Sequence, residues 1–140
     1  MKKLLSVSVL LIGSALSSSN ARAQVIVIAN ESVAASSVSM DDLRKVFSAG
    51  ASNLKEGSHV VPVLLKAGPT HVEFLSTYVG RSDAGLQVCW RGLVMTGQGT
   101  MPKSFDSEVE VVQYVARKAG AIGYISEKTP HEGVKVLAIR

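Results

Sequence analysis

The chain has 140 residues, 46% of them hydrophobic, with fifteen Lys and Arg against eleven Asp and Glu and a single cysteine. That length suits one compact domain with one core, and Cys89 alone excludes an internal disulfide and offers no partner for a metal or redox pair. The formal charge of +4 is concentrated at the N-terminus; without Lys2, Lys3 and Arg22, twelve basic residues face eleven acidic ones, so neither nucleic acid nor an anionic membrane is implied as a partner.

The first 23 residues read as a secretory signal peptide. Lys2 and Lys3 begin it, Leu4 to Leu16 is apolar but shorter than the ~20 residues of a membrane span, and Ala21-Arg22-Ala23 is an A-x-A cleavage signal. No cysteine directly follows the apolar stretch, so a lipoprotein anchor is not expected, and the flanks of that stretch argue against a retained membrane anchor. Cleavage before Gln24 leaves one domain, residues 24–140.

Val25 to Ala29 is apolar and β-branched and predicts a strand. Asn30 to Val38 reads as a loop. Ser39 caps a helix over Met40 to Ser48, with Asp41 and Asp42 near the positive end of its dipole and Leu43, Val46 and Phe47 on one face. Gly50 ends that helix, and Ala49 to His59 is a polar turn. Val60 to Leu65 predicts a buried strand. Thr70, with Glu73 three residues on, predicts a capping box for a second helix over His71 to Val79, closed by Gly80. Ser82 caps a third helix, Asp83 to Met95, with Leu86, Cys89, Trp90, Leu93 and Val94 as its apolar stripe and Cys89 as a small buried hydrophobe. Gly97 to Phe105 reads as a loop.

Asp106 or Ser107 caps a fourth helix, Glu108 to Lys118, which buries Val111, Val112 and Val115. Glu108 and Glu110 read as favourable first-turn charges rather than an acid/base pair. Gly120 ends that helix. Ala121 to Ile125 is a strand whose Gly123 suggests the close approach of another backbone or a ligand. Thr129 to Gly133 is a turn and Val134 to Ile139 the last strand. Strands interleaved with helices predict an α/β sandwich around a small mixed sheet.

Two separated segments, SMDDLRKVFSAGASNLKEGSHVVPVLL (Ser39 to Leu65) and KAGAIGYI (Lys118 to Ile125), carry a resemblance. Through Leu43, Val46, Phe47, Ser48, Asn53, Pro62, Phe74 and Ala119 to Tyr124, most of Val25 to Ile139 resembles the inner, inserted lobe of the substrate-binding proteins of phosphate ABC transporters. Those proteins have the type II periplasmic binding fold. The chain is too short for both lobes, so the resemblance implies a single-lobe, periplasmic-binding-protein-like α/β sandwich.

The family pattern has Ser-Gly-Thr at the helix start after the second strand, where N–H groups and hydroxyls hold phosphate. Here the stretch is Ala67-Gly68-Pro69-Thr70. Thr70 keeps its place, Gly68 stands where the Ser would be, and Pro69, which has no N–H, stands where the Gly would be. The resemblance therefore implies a reduced anion site of Gly68, Thr70 and His71 with Lys66 nearby. The competing reading is an ordinary helix start with His71 on the surface. A second loop, Thr96 to Ser104, could present Thr100, Lys103 and Ser104 to an anion, or could simply connect two helices. His59, His71 and His131 lack ligand spacing and are expected at the surface. No metal, cofactor or catalytic constellation is implied.

Two functions stand open on these residues. One is an exported, periplasmic solute-binding domain for phosphate or a similar oxyanion, partnered by an ABC transporter permease. The other is a periplasmic interaction module that kept the fold, lost the ligand and docks on another periplasmic protein. A lobe on its own cannot close over an anion, and closure is what buries and strengthens such a site.

Overall fold

The computed structural model describes residues 24–140; the signal-peptide reading of residues 1–23 lies outside them. Six strands form one sheet: β1 (Val25–Ala29), β2 (Ser37–Val38), β3 (Val61–Leu65), β4 (Lys103–Phe105), β5 (Ala121–Ser126) and β6 (Lys135–Ile139), in the spatial order β2-β6-β1-β5-β3-β4. β3 runs parallel to both β4 and β5, β1 runs antiparallel to β5 and β6, and β2 runs parallel to β6. The sheet is mixed, as the alternation of strand and helix signals implies.

Four helices cover it: α1 (Met40–Ser48), α2 (Pro69–Phe74), α3 (Asp83–Met95) and α4 (Glu108–Arg117). Every residue of the central strand β5 is buried, which fits its apolar run. Side chains alternate across a strand. Gly123 accordingly faces Val111 and Val115 of α4, while Tyr124 faces Phe47 of α1 and Phe74 of α2. The Phe74 and Tyr124 rings stack with centroids 3.9 Å apart, and Phe47 meets Phe74 edge-on at 5.0 Å. The close approach expected at Gly123 is thus made by valine side chains, not by a backbone or ligand.

Local signals account for most helix ends. Ser39 Oγ accepts the Asp42 N–H at 3.1 Å, and Ser82 Oγ accepts the Gly85 N–H at 3.1 Å. Ser107, rather than Asp106, caps α4 in a reciprocal box with Glu110. Gly50 follows the end of α1 with φ +74°, the left-handed conformation that glycine adopts without strain.

Several expectations are corrected. β2 lies inside the expected Asn30–Val38 loop, and β4 inside the expected Gly97–Phe105 loop; both are short edge strands held by ladder bonds to β6 and β3. The second helix starts at Pro69 behind Gly68, with no side-chain cap, so Thr70 and Glu73 form no capping box. That helix is α-helical only to Phe74 and continues as one π-helical turn, Leu75–Val79, before Gly80. Along α3 only Leu86 and Trp90 are buried; Cys89 is half-buried and Val94 is exposed. Trp90 Nε1 donates to the Phe47 carbonyl at 2.8 Å, tying α3 to α1. Among the described residues no helix is long and apolar enough to cross a membrane.

Candidate functional site at the carboxyl ends of the parallel strands

In an open α/β sheet, ligands bind beyond the carboxyl ends of the parallel strands. Here those ends are Leu65 of β3, Phe105 of β4 and Ser126 of β5. The Lys66 N–H donates to the Phe105 carbonyl at 2.9 Å and so brings the two following loops together. Between them lies a small cavity of about 210 Å³, lined by Leu65, Ala67 to Thr70 and Asp106 to Glu108.

Glu108 organises this end of the sheet. Its Oε2 accepts the Thr70 hydroxyl at 3.2 Å, and its Oε1 accepts the Thr129 hydroxyl at 3.1 Å and the Ser126 N–H. Both carboxylate oxygens are engaged, and one negative charge already lies against the turn where the resemblance puts an anion. Asp106 lines the same cavity and pairs with Lys66 across 3.4 Å in the open. Lys66 is therefore a cation with a carboxylate of its own, and a free anion entering here would face two carboxylates. Pro69 withholds one further donor from the turn. From the sequence alone Glu108 is a favourable first-turn charge of α4. Nothing local to it points to Thr70, thirty-eight positions away.

His71 is buried, not at the surface, and both its ring nitrogens are engaged. Nδ1 lies 2.5 Å from the Tyr124 hydroxyl oxygen, and Nε2 lies 2.7 Å from Asp83 Oδ1. The Tyr124 oxygen also accepts the Leu65 N–H at 3.0 Å. The Asp83 carboxylate can only accept, so Nε2–H donates to it, and the unprotonated Nδ1 accepts the Tyr124 O–H. Burial pushes the Tyr124 hydroxyl well above its ordinary titration range. This row of Tyr, His and Asp links β5, α2 and the start of α3. Since Tyr124 is 1% exposed, no substrate reaches its hydroxyl and the row serves as a strut. His59 is exposed and His131 half-buried.

Lys66, Gly68 and Thr70 come together at the carboxyl ends of the strands. Ser104 lies within β4, opposite Leu64. Thr100 and Lys103 lie on the same edge of the sheet but toward the start of β4, where they line a different cavity.

No family model matches the chain, and no curated protein matches it. Solved structures do match. An ABC-type phosphate transport receptor from Vibrio cholerae aligns with a TM-score of 0.63 at 16% identity, over 82% of this chain and 45% of that one. A chain from Clostridium perfringens solved with bound phosphate aligns at 0.63 and 18% identity, over 82% and 44%. PstS from Borrelia burgdorferi aligns at 0.59 and 13% identity, over 83% and 47%. The described chain has the fold of one part of these proteins. It spans less than half the length of each, in keeping with a single lobe.

Proposed function

We propose that this chain is an exported domain with the solute-binding-protein fold, related to the binding proteins of phosphate ABC transporters, that works by docking on a protein partner and does not clamp free oxyanion. The partner would be a transporter permease or another periplasmic protein. One observation carries the reading: the Glu108 carboxylate takes up the Thr70 hydroxyl, the Thr129 hydroxyl and the Ser126 N–H, donors that a bound anion would compete for. A phosphate here would have to displace a carboxylate tethered to the same sheet.

A second reading keeps the anion. In it, phosphate or a similar oxyanion sits weakly against Lys66, Gly68 and Thr70. What favours it is the likeness of fold to a chain solved with bound phosphate, together with the position of the turn beyond β3. His71 would support such a site only through its place in α2, because both its nitrogens are occupied.

Titration of the purified protein with phosphate and sulfate, followed by amide NMR shifts, separates the two. The docking reading expects no shifts at Ala67, Gly68, Thr70 and His71 at millimolar anion. It also expects shifts there once Glu108→Gln removes the charge. Saturable shifts in the unaltered protein would establish the second reading instead.

A further inference from the structure

A groove on the β4 side of the molecule lies at the opposite end of β3 from the Gly68 turn. Its volume is about 480 Å³, within the range of roughly 300–1,000 Å³ typical of small-molecule sites. Pro62 and Val63 of β3, Trp90, Pro102 and Tyr114 give it apolar walls, and Gln98 and Thr100 add polar groups. Its charged groups are all of one kind. Lys103 and Lys118 line it, His59 stands beside them, and none of its lining residues is acidic. Neither lysine forms an ion pair with a described residue. Lys103 Nζ instead sits 5.2 Å above the Tyr114 ring, with Arg117 at 5.7 Å from the same centroid.

The backbone at this groove argues for a small molecule rather than an added strand. The Val61 N–H points to β5, where it donates to the Gly120 carbonyl at 2.8 Å. Strand alternation then turns the amide position of residue 62 toward the β4 side. That residue is proline and supplies no N–H; Pro102, just before β4, supplies none either. An extended peptide would find too few donors to continue the ladder.

We propose that this groove is a ligand site for a small organic anion with a flat apolar body, such as an aryl phosphate or aryl carboxylate. The body would lie against the proline and aromatic walls, and the anionic head would be held by Lys103 and Lys118. The loop Gln98 to Pro102 forms one rim, where Gly99 packs beside the Trp90 ring.

Phenyl phosphate is the probe, with inorganic phosphate and benzyl alcohol each supplying one half of its chemistry. Amide shifts are expected with phenyl phosphate at Ser52, Val60, Val61, Val63, Gln98 to Met101 and Lys103, at concentrations well below those at which either half-probe acts. Lys103→Ala and Lys118→Ala, both exposed positions, are each expected to weaken binding roughly two- to fivefold, the range of an exposed charge pair, with the rest of the spectrum unchanged. No shifts at millimolar phenyl phosphate would overturn the proposal. So would affinity unchanged in the double variant, or shifts confined to Ala67 to His71. Because the groove and the Gly68 turn are separate, failure here leaves the docking reading untouched.

Discussion

The hydroxyl of Tyr124 lies 2.5 Å from Nδ1 of His71, fifty-three positions apart in the chain, and the same oxygen accepts the Leu65 N–H. This one atom holds β5, β3 and α2 together. Tyr124→Phe leaves a buried N–H and a buried ring nitrogen without partners and should cost about 1–3 kcal/mol, read as a lower urea midpoint at unchanged slope. The hydroxyl titrates above its ordinary value of 10.0 because burial disfavours the phenolate. A group raised in the folded state contributes fully below its unfolded pKa and is lost as pH rises. Stability of the unaltered protein should therefore fall above about pH 10, and more steeply than that of Tyr124→Phe.

Glu108 ties the start of α4 to the turns after β3 and β5. Glu108→Ala removes the acceptor for a backbone N–H and two hydroxyls, and should destabilise by about 1–3 kcal/mol. Glu108→Gln can keep its carbonyl oxygen toward the Ser126 N–H and the Thr129 hydroxyl, while the Thr70 hydroxyl rotates to accept from its amide. It should cost clearly less. Equal midpoints for the two variants in denaturant titration would show that the hydrogen bonds contribute little.

Gly123 and Gly92 make a matched pair. A Cβ at Gly123 would meet Val63 Cγ2 at 2.9 Å and Val111 Cγ1 at 3.1 Å, so α4 would have to lift from the sheet. Gly123→Ala should cost about 1–3 kcal/mol through overpacking. Gly92 lies inside α3 with nothing within 4 Å of its Cβ position. Gly92→Ala should raise stability by roughly 0.5–1 kcal/mol by restricting the unfolded chain and favouring helix. Thermal midpoints shifting in opposite directions would bear out the packing described.

Export is testable directly. The Lys2 and Lys3 start, the short apolar stretch and Ala21-Arg22-Ala23 lead us to propose cleavage after Ala23. N-terminal sequencing of protein from the exported fraction should begin at Gln24. Intact Met1 on protein held in the cytoplasm would contradict it.

The sequence by itself determined what is local. Ser39, Ser82 and the pair Asp106 or Ser107 announce three helices because a cap bonds within three residues of itself, and the structure settles the last on Ser107. The apolar spacing of Leu43, Val46 and Phe47 sets the buried face of α1, and the run from Ala121 marks the central strand. The alternation of these signals was enough for an α/β sheet sandwich. Only the tertiary structure decided what depends on distant partners. Ser37–Val38 and Lys103–Phe105 carry no strand signal, because their strand character comes from the ladders of β6 and β3. Thr70 looks like a cap in sequence, yet its hydroxyl goes to Glu108, and the helix starts two residues earlier on Gly68 and Pro69. His71 looks like a surface residue until Tyr124 and Asp83 supply the two hydrogen bonds that make its burial affordable. Tyr124 stands fifty-three positions from His71 and Glu108 thirty-eight from Thr70, so these partners meet only when the sheet assembles.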